Sequence, residues 1–299
     1  MQPSPSEPPV SPEKIIEKLK TDEVAFAQGC LRVQDRETQE LINFKFNAAQ
    51  LYYDKNIKQR NIILKSRKLG ISTRIIARNI WRCAFQMNRH SVLIAQNGDE
   101  ADRFLEERVK PMAQTSRYPL NCRSRKWGLW FPATNSRYWV GAAGSRKFGR
   151  GSDITDYHFS ESAWYDDPGI ITNIEEGCLG GADGDIETTA NGPNHFHTSW
   201  LRAVRGESNY NPIFIAWWLD ERYRSRQPLA PPLSEYEQML ISTFNVDDEQ
   251  IAWYRAKKRR MNQPDLLPQE FTSFAEEAFL SSGRMMFDAS ALVKNETLC

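Results

Sequence analysis

The sequence predicts an α/β fold in which helices flank a mostly parallel central sheet. Up to Ala216, short apolar segments with the character of buried strands alternate with polar turns and with helices that carry one apolar face. After the proline-rich stretch 228–232 only helical patterns follow, which predicts a small helical subdomain. The 299 residues suffice for one large domain or two modest ones, with a core that needs no disulfides.

The spacing of apolar residues places the individual elements. Strands are predicted at 61–65, 91–95, 137–142, 155–159, 186–189 and 212–216. Helices are predicted from residue 13, from residue 72 and over 98–109, then over 234–242, 247–261 and 274–281. The helix from residue 72 has an apolar face made of Ile71, Ile75, Ile76, Ile80 and Ala84. Another face of that helix carries Arg74, Arg78 and Arg82.

Proline content suggests how the chain is divided. Residues 1–12 contain five prolines and three serines, which predicts a mobile tail. We therefore expect a tail over 1–22, a core domain over 23–227, and a helical subdomain with a linker over 228–299.

Composition excludes several classes of protein. Hydrophobic residues make up 40% and charged residues 26%, which is typical of soluble globular proteins and excludes fibrous and wholly disordered chains. No apolar run approaches the roughly 18 residues of a membrane-spanning helix. The first residues lack the basic and apolar regions of a secretory signal. The five cysteines are scattered, which argues against a disulfide framework and predicts a reducing cytosol.

Charge is distributed unevenly along the chain, although the net charge is only +1. Residues 54–89 carry ten Lys and Arg against one acid, and 117–150 carry eight against none. Residues 151–187 reverse the sign, with ten Asp and Glu and no Lys or Arg. A basic region followed by an acidic one suits a site where a polyanion meets a metal ion, although ordinary surface patchiness gives the same pattern.

The clearest candidate site lies between the strand 61–65 and the helix from residue 72. A P-loop reads G-x-x-x-x-G-K-[ST] in this context, because its backbone N–H groups and the helix N-terminus cradle phosphate. The segment consists of Lys65, Ser66, Arg67, Lys68, Leu69, Gly70, Ile71, Ser72 and Thr73. Gly70 stands at the second glycine of the motif and Ser72 at the Mg²⁺-binding hydroxyl. Ile71 takes the usual lysine position, and Lys65 stands where the motif has its first glycine.

The cation of this loop has thus moved to its other end. From there, Lys65 can fold back over the β- and γ-phosphates and supply the charge from a different attachment point. Gln50 lies 15 residues earlier, and its amide can both donate to and accept from an adenine edge. A basic strand-to-helix turn and a surface glutamine are the simpler interpretations of these residues.

A P-loop ATPase also needs carboxylates at the end of a second strand, one for Mg²⁺ and one for the attacking water. Glu161 directly follows the strand 155–159 and Ser160, at the carboxyl end where α/β sheets carry their chemistry. Asp99 and Glu100 are the alternative, but they open a helix and fit its first turn better. With Glu161 chosen, the metal-side position is Ser160 rather than Asp, so Ser160 must act through water or Asp156 must compensate.

Three further segments remain. Thr188 and Thr189 end another strand, where small hydroxyl residues can sense the γ-phosphate. Arg150, with Arg146 and Lys147, lies in a glycine-rich loop before the acidic strand, a setting that suits an arginine finger. His195 and His197 lack a cysteine pair or a third spaced ligand, and we expect them to be loop or strand histidines rather than a zinc site.

Taken in order, these segments resemble the large terminase subunit of tailed bacteriophages, the motor that packages DNA into a procapsid. Residues 65–73 resemble its deviant Walker A, in the version with lysine at the start, and Gln50 resembles its adenine-contacting glutamine. Residues 158–161 resemble its Walker B end, in a subgroup with Ser for Asp and Glu161 as the catalytic carboxylate. Thr188 and Thr189 resemble its coupling motif, and Arg150 is placed like the proposed trans-acting finger. The late segments 211–217 and 269–283 also fit, and the resemblance spans residues 40–288.

The resemblance implies a P-loop ATPase of the additional-strand, conserved-glutamate class with ATP and Mg²⁺ as ligands. It implies Ser72 and Ser160 on the metal side, and catalysis by Glu161, Lys65 and Arg150. It also implies double-stranded DNA, a homo-oligomeric ring on the portal and the small terminase subunit as partners, in the host cytoplasm and without a membrane. A nuclease domain would follow in the family, so we expect this chain to be an ATPase fragment. The alternatives are a helicase-like ATPase and a non-hydrolysing DNA-binding or scaffolding module.

Overall fold

The computed structural model of the protein describes residues 11–35, 38–145 and 153–280. The strands are β1 (Arg32–Gln34), β2 (Leu41–Asn43), β3 (Arg60–Lys65), β4 (His90–Ala95), β5 (Arg123–Arg125), β6 (Gly128–Phe131), β7 (Ser136–Ala142), β8 (Ile154–Ser160), β9 (Cys178–Thr188) and β10 (Asn211–Ile215). The helices are α1 (Pro12–Thr21), α2 (Glu23–Cys30), α3 (Ala48–Asn56), α4 (Ile71–Phe85), α5 (Gly98–Phe104), α6 (Lys110–Gln114), α7 (Gly169–Glu176), α8 (His195–Val204), α9 (Glu235–Phe244), α10 (Asp248–Arg260), α11 (Leu267–Glu270) and α12 (Glu277–Leu280).

Within the described residues, eight strands form the central sheet in the order β10-β3-β9-β8-β4-β7-β6-β5. The pairs from β10 to β7 are parallel, and β6 and β5 continue the sheet antiparallel at one edge. Strands such as β4 are buried along their whole length, as expected of parallel strands covered on both faces. The prediction of a mostly parallel sheet flanked by helices is therefore confirmed.

The strand order brings three strand ends together. β9 lies between β3 and β8, so the segment that leads into the loop 66–70 has β9 as its neighbour rather than β8. A strand between β3 and β8 is what the additional-strand class predicts. Because the three strands are parallel, their carboxyl ends meet at one edge of the sheet, and Lys65, Ser160 and Thr188 are their last residues.

Helices cover both faces of the sheet. On one face, α2, α4 and α5 pack side chains such as Phe26, Ile80 and Phe104 against the sheet. On the other, α7 and α8 contribute Ile174 and Trp200. A separate apolar cluster, centred on the fully buried Trp217, joins α9, α10 and α11. None of the helices in the described ranges has both the length and the apolar character of a membrane span.

Several element boundaries differ from the sequence-based expectation. The predicted helix 98–109 is α5 followed by a π-helical segment, Leu105–Val109, that continues into α6. The predicted strand 186–189 is the end of the much longer β9, whose glycine-rich beginning concealed it because glycine is depleted in strands. The helix predicted from residue 13 is present as α1 (Pro12–Thr21), which Ser11 caps, and it lies within the segment 1–22 assigned to the tail. The helix predicted over 274–281 begins later, as α12 (Glu277–Leu280). Residue 281 lies outside the described ranges.

The arginine face of α4 turns inward onto β8 and β9. Arg78 is buried and forms an ion pair with Asp185. Arg82 Nη1 lies 2.6 Å from Asp156 Oδ1, and Arg89 also pairs with Asp156. Burial disfavours the ionised carboxyl, but Arg89 and Arg82 outweigh it and hold the pKa of Asp156 below its usual range. Part of the basic charge of 54–89 thus neutralises the acidic region within the protein instead of facing a polyanion.

We predict that Asp185→Asn strongly destabilises the fold. Asn61 Nδ2 and Tyr53 Oη both donate to Asp185 Oδ1, at 2.9 and 3.0 Å, and Asn can keep these contacts only in part. The neutral side chain leaves the buried Arg78 guanidinium uncompensated, which costs about 3–5 kcal/mol. Urea unfolding measures this change. The exposed Asp248→Asn in the first turn of α10 is the control, and an equal effect of both substitutions would contradict the prediction.

Candidate active site

The loop between β3 and α4 is held in a fixed shape by α3. Its backbone takes the left-handed conformation at Lys68 and Gly70, with φ of 64° and 79°. Asn47 Nδ2 donates to Leu69 O at 3.0 Å, and Gln50 Nε2 donates to Gly70 O at 2.8 Å. The φ of Gly70 favours glycine, and a Cβ there would also lie 2.7 Å from Gln50 Nε2 and push that supporting amide aside.

The Gln50 side chain is thus part of the loop's support. Its Oε1 accepts from Asn47 N at 3.0 Å in a capping box that begins α3, and the residue is 3% exposed. Both ends of the amide are engaged within the protein. An adenine contact by Gln50 stays a prediction, and it requires the amide to share or exchange one of these hydrogen bonds.

The C-terminal helical region supports the loop from the opposite side. Arg67 N donates to Glu270 O at 2.8 Å, and Arg67 Nη1 pairs with the Glu270 carboxylate at 2.9 Å. Ser66 Oγ donates to Thr272 O at 3.0 Å, and Tyr223 Oη donates to Arg67 O at 2.8 Å. These bonds link the loop to the segment around α11.

The side chains of the loop segment divide between core and surface. Leu69 and Ile71 are each 1% exposed and pack with Ala49 and Ile215 in an apolar cluster. Position 71, where a P-loop usually has lysine, therefore points into the core. Lys68 is exposed, and Ser72 and Thr73 are half-buried in the first turn of α4.

Lys65 joins the carboxylates at the sheet edge. Its Nζ lies 2.8 Å from Glu161 Oε1 and 3.1 Å from Glu187 Oε2, and its side chain is 5% exposed. Burial opposes the charged form, but Glu161 and Glu187 outweigh it and raise the pKa of Lys65 above its ordinary value. The Lys65 ammonium therefore stays charged between the ends of β8 and β9.

Glu161 is held in one orientation by the residues around it. It follows β8 in the left-handed conformation, with φ of 55°, which is uncommon for a non-glycine residue and frequent at functional sites. Its Oε2 accepts from Thr189 N at 3.1 Å and from Thr188 Oγ1 at 3.3 Å, while Oε1 faces Lys65. The predicted catalytic carboxylate and the predicted coupling residues are thus in direct contact.

A second carboxylate, Glu187, lies behind Lys65 and is fully buried. Its Oε1 accepts from Ser72 Oγ at 2.6 Å and from Ser160 Oγ at 2.7 Å, and His158 Nε2 lies 3.2 Å away. Burial favours the neutral acid, but Lys65 and His158 outweigh it and hold the pKa of Glu187 below its usual range. The two serines predicted for the metal side are thus brought to one oxygen.

Lys65 and Glu161 border a cleft of about 700 Å³, and Glu187 lies buried behind its lining. One side is the loop with Ser72 and Thr73, and the other is Ser160, Glu161 and Thr189. Arg103 from α5 and Arg108 from the π-helical segment also line it. A loop of backbone N–H groups at a helix N-terminus, with cations and a carboxylate beside it, can bind a polyphosphate and orient a water for attack.

The oxygen donors at this cleft fit Mg²⁺, which takes one or two carboxylates, hydroxyls and substrate phosphates rather than an all-protein cage. Ser72, Ser160 and Glu187 bring such donors together. In the described ranges, no group of three or more His, Cys, Asp or Glu is arranged to hold a metal ion.

Among the described residues, the other sequence-based candidates do not contact Lys65. Asp156 pairs with Arg82 and Arg89, so it does not compensate for Ser160, as the sequence had allowed. Asp99 and Glu100 occupy the first turn of α5, as expected, and Glu100 also lines the cleft. Arg146, Lys147 and Arg150 lie outside the described residues.

His195 and His197 were expected in a loop or strand. This was wrong, because both belong to α8. His195 Nε2 lies 2.9 Å from Ser162 O, and the His197 ring stacks on Phe279.

Three residues of the site, Glu187, Arg103 and Arg108, were not identified from the sequence. A charged residue inside the buried strand segment 186–189 was the available signal for Glu187, because an unpaired charge is costly there. The two arginines gave no signal of their own, since they lie on a helical surface among other charged residues.

Solved structures share this arrangement of strands and helices. The large terminase ATPase domain of Thermus phage P74-26 aligns with a TM-score of 0.56 at 15% identity, over 77% of this chain and 94% of that one. The large terminase of a thermophilic bacteriophage aligns with a TM-score of 0.52 at 12% identity, over 77% of this chain and 54% of that one. The protein has the fold of a large terminase ATPase domain.

The thermophilic bacteriophage's large terminase has also been solved in complex with ADP and with ATP-γ-S, and these structures align with TM-scores of 0.52 and 0.50. The present chain thus spans about half of that large terminase and nearly all of the P74-26 ATPase domain. No protein-family model and no curated protein sequence matches the chain.

Proposed function

We propose that this chain is an ATP-hydrolysing motor domain that drives double-stranded DNA into a viral procapsid. The observation that carries the proposal is the meeting of Lys65, Glu161 and Ser72 at the carboxyl edge of the sheet, beside a loop that opens a helix. The terminase ATPase fold and the nucleotide complexes of the thermophilic bacteriophage's large terminase support it.

In this proposal the loop 66–70 and the first turn of α4 bind the phosphates of ATP through backbone N–H groups. Lys65 supplies the cation, because position 71 points into the core and cannot present one without leaving it. The ammonium lies at the end of β3, next to Glu161 and Glu187. Glu187 also accepts a hydrogen bond from Ser72. The Lys65 ammonium therefore stabilises the negative charge that develops on the transferred phosphoryl group, from the side of the cleft formed by the strand ends.

Glu161 acts as the base that orients and polarises the attacking water. Thr189 N and Lys65 hold its two carboxylate oxygens, so the group is aimed without any large rearrangement. Ser72 and Ser160 hold Mg²⁺, which supplies charge neutralisation to the phosphates when it is bound. Thr188 and Thr189 pass changes at Glu161 to β9, and the loop's bonds to Glu270 and Thr272 pass them to the helical region.

The motor acts on double-stranded DNA as a homo-oligomeric ring on the portal, together with a small terminase subunit, in the host cytoplasm. Arg150 serves as an arginine finger toward the neighbouring subunit. The sequence resemblance and the shared fold support these assignments. A helicase-like ATPase would prefer single-stranded over duplex DNA, and a non-hydrolysing module would show no ATP turnover, so both are distinguishable by assay.

We predict that Glu161→Gln lowers ATP turnover by about 10²-fold or more while ATP still binds, because Gln keeps the shape of the side chain and removes the basic group. Phosphate release and equilibrium binding of ATP-γ-S measure the two quantities. Glu175→Gln, on α7, is the control. Unchanged turnover in Glu161→Gln would show that another carboxylate is the catalytic base, and Glu100 is the next candidate.

We also predict that Lys65→Ala abolishes hydrolysis whereas Lys68→Ala, at an exposed position of the same loop, retains most of it. Adding Ile71→Lys to Lys65→Ala should not restore turnover, because residue 71 lies in the apolar core and its replacement costs stability. Turnover and thermal unfolding are measured together to separate lost chemistry from lost folding. If a folded Lys65→Ala protein stays active and Lys68→Ala is dead, the loop assignment is wrong.

A third prediction concerns the active site formed between subunits. Arg150→Ala lacks the finger and Glu161→Gln lacks the base, so each is inactive alone. Mixed rings contain some interfaces with an intact Arg150 and an intact Glu161, and these should recover part of the turnover. Co-assembly is verified by light scattering, and wild-type turnover should rise more than linearly with protein concentration. Mixtures that co-assemble yet stay inactive would show that Arg150 does not act across subunits.

A further inference from the structure

Glu187 has contacts that a buried counter-ion of Lys65 does not need. Its Oε1 accepts hydrogen bonds from both Ser72 and Ser160, at 2.6 and 2.7 Å, while its other oxygen faces Lys65. One hydroxyl comes from the first turn of α4 and the other from the end of β8. Glu187 on β9 therefore connects the start of α4 to the end of β8.

From this geometry we propose that Glu187 is the metal-side carboxylate of the site, supplied from β9 in place of the aspartate that β8 lacks at Ser160. The inference rests on the proposed function, since it concerns Mg²⁺ bound with ATP. Glu187 is a positioning residue: it acts on the metal through the Ser72 hydroxyl and through its negative charge.

The direction of the Ser72 hydrogen bond is what makes Glu187 suitable. Ser72 Oγ–H donates to Glu187 Oε1 and so points at Glu187. The lone pairs of Ser72 Oγ are then free for a cation in the cleft, which Ser72 borders. Carboxylates that accept a hydrogen bond from a metal ligand orient that ligand and increase its affinity for the metal.

Strand register explains how a glutamate can do this from β9. Ser160 and Glu187 are register partners on β8 and β9, and β9 is also paired with β3, which leads into the loop. The two side chains therefore start at the same level on neighbouring strands. The extra methylene of Glu relative to Asp extends the Glu187 side chain to the Ser72 hydroxyl.

The charge of Glu187 is compensated where it lies, as a buried carboxylate requires. Lys65 Nζ lies 3.1 Å from its Oε2, and His158, two residues before Ser160 on β8, lies 3.2 Å from its Oε1. Each oxygen of the fully buried Glu187 carboxylate thus has a basic partner.

The test measures metal affinity rather than turnover. Mn²⁺ replaces Mg²⁺ as a paramagnetic probe, and its binding to the full chain with ATP-γ-S is followed by electron paramagnetic resonance. We expect Glu187→Gln to weaken Mn²⁺ binding by about tenfold or more, as losses of such supporting carboxylates do. Binding of ATP-γ-S in EDTA should change much less, because no metal takes part.

Two further variants keep the result interpretable. Glu187→Asp retains the charge beside Lys65 and His158, so it should fold, but its shorter side chain should still weaken Mn²⁺ binding. In the Glu187→Gln background, Ser160→Asp returns a carboxylate to the end of β8 and should restore part of the Mn²⁺ affinity. The control is Glu277→Gln, which alters another buried carboxyl that does not line the cleft, and it should bind Mn²⁺ as the wild type does.

Each outcome decides the inference. Wild-type Mn²⁺ affinity in folded Glu187→Gln, or in Glu187→Asp if the first variant does not fold, would show that Glu187 is only a counter-ion of Lys65. If Ser160→Asp does not restore any of the Mn²⁺ affinity that Glu187→Gln loses, Glu187 does not replace a carboxylate at the end of β8. A wild-type chain that binds no ATP-γ-S at all would instead overturn the proposed function, which the measurement in EDTA reveals separately.

Discussion

The ammonium of Lys65 between Glu161 and Glu187 is the interaction on which the site depends. It joins the ends of β3, β8 and β9, and it places a positive charge between two carboxylates with different surroundings. Glu161 borders the cleft and is held by Thr188 and Thr189, whereas Glu187 is buried and receives the hydroxyls of Ser72 and Ser160. One lysine thus keeps both carboxylates in place and gives them separate environments, one facing water and the other facing the loop.

The arginines of α4 perform a similar task on a larger scale. Arg78 and Arg82 pair with carboxylates on β8 and β9, so the helix that begins at the phosphate loop is fastened along its length to the strands that carry Glu161 and Glu187. Just before α4 begins, the loop 66–70 is hydrogen-bonded to Asn47 and Gln50 at the start of α3 and to Glu270. A loop fixed on three sides keeps its backbone N–H groups preorganised, which in the proposed function lowers the cost of binding phosphate.

Sequence reasoning succeeded where one local pattern determines the structure and failed where register or pairing decides. Strand β3, the start of α4 and the position of Glu161 follow from apolar spacing and were predicted within a residue or two. The relation of Glu187 to Ser160 depends on the β8–β9 register, and the two residues are separated by a loop and a helix, so no local pattern contains it. The arginines of α4 were counted only as part of the basic region 54–89, because nothing in a sequence tells whether a charge meets solvent or a buried partner. The short, arginine-rich β5 has no apolar face and gave no strand pattern.

The central claim is that the phosphate-binding cation has moved from the start of the helix to the end of β3. A crystal structure of the chain with Mg²⁺ and ATP-γ-S tests it most directly. We expect Lys65 Nζ at about 2.7–3.2 Å from a β- or γ-phosphate oxygen, with Ser72 Oγ still donating to Glu187. A structure in which Lys68 contacts the phosphates while Lys65 remains paired only with Glu161 and Glu187 would contradict the claim.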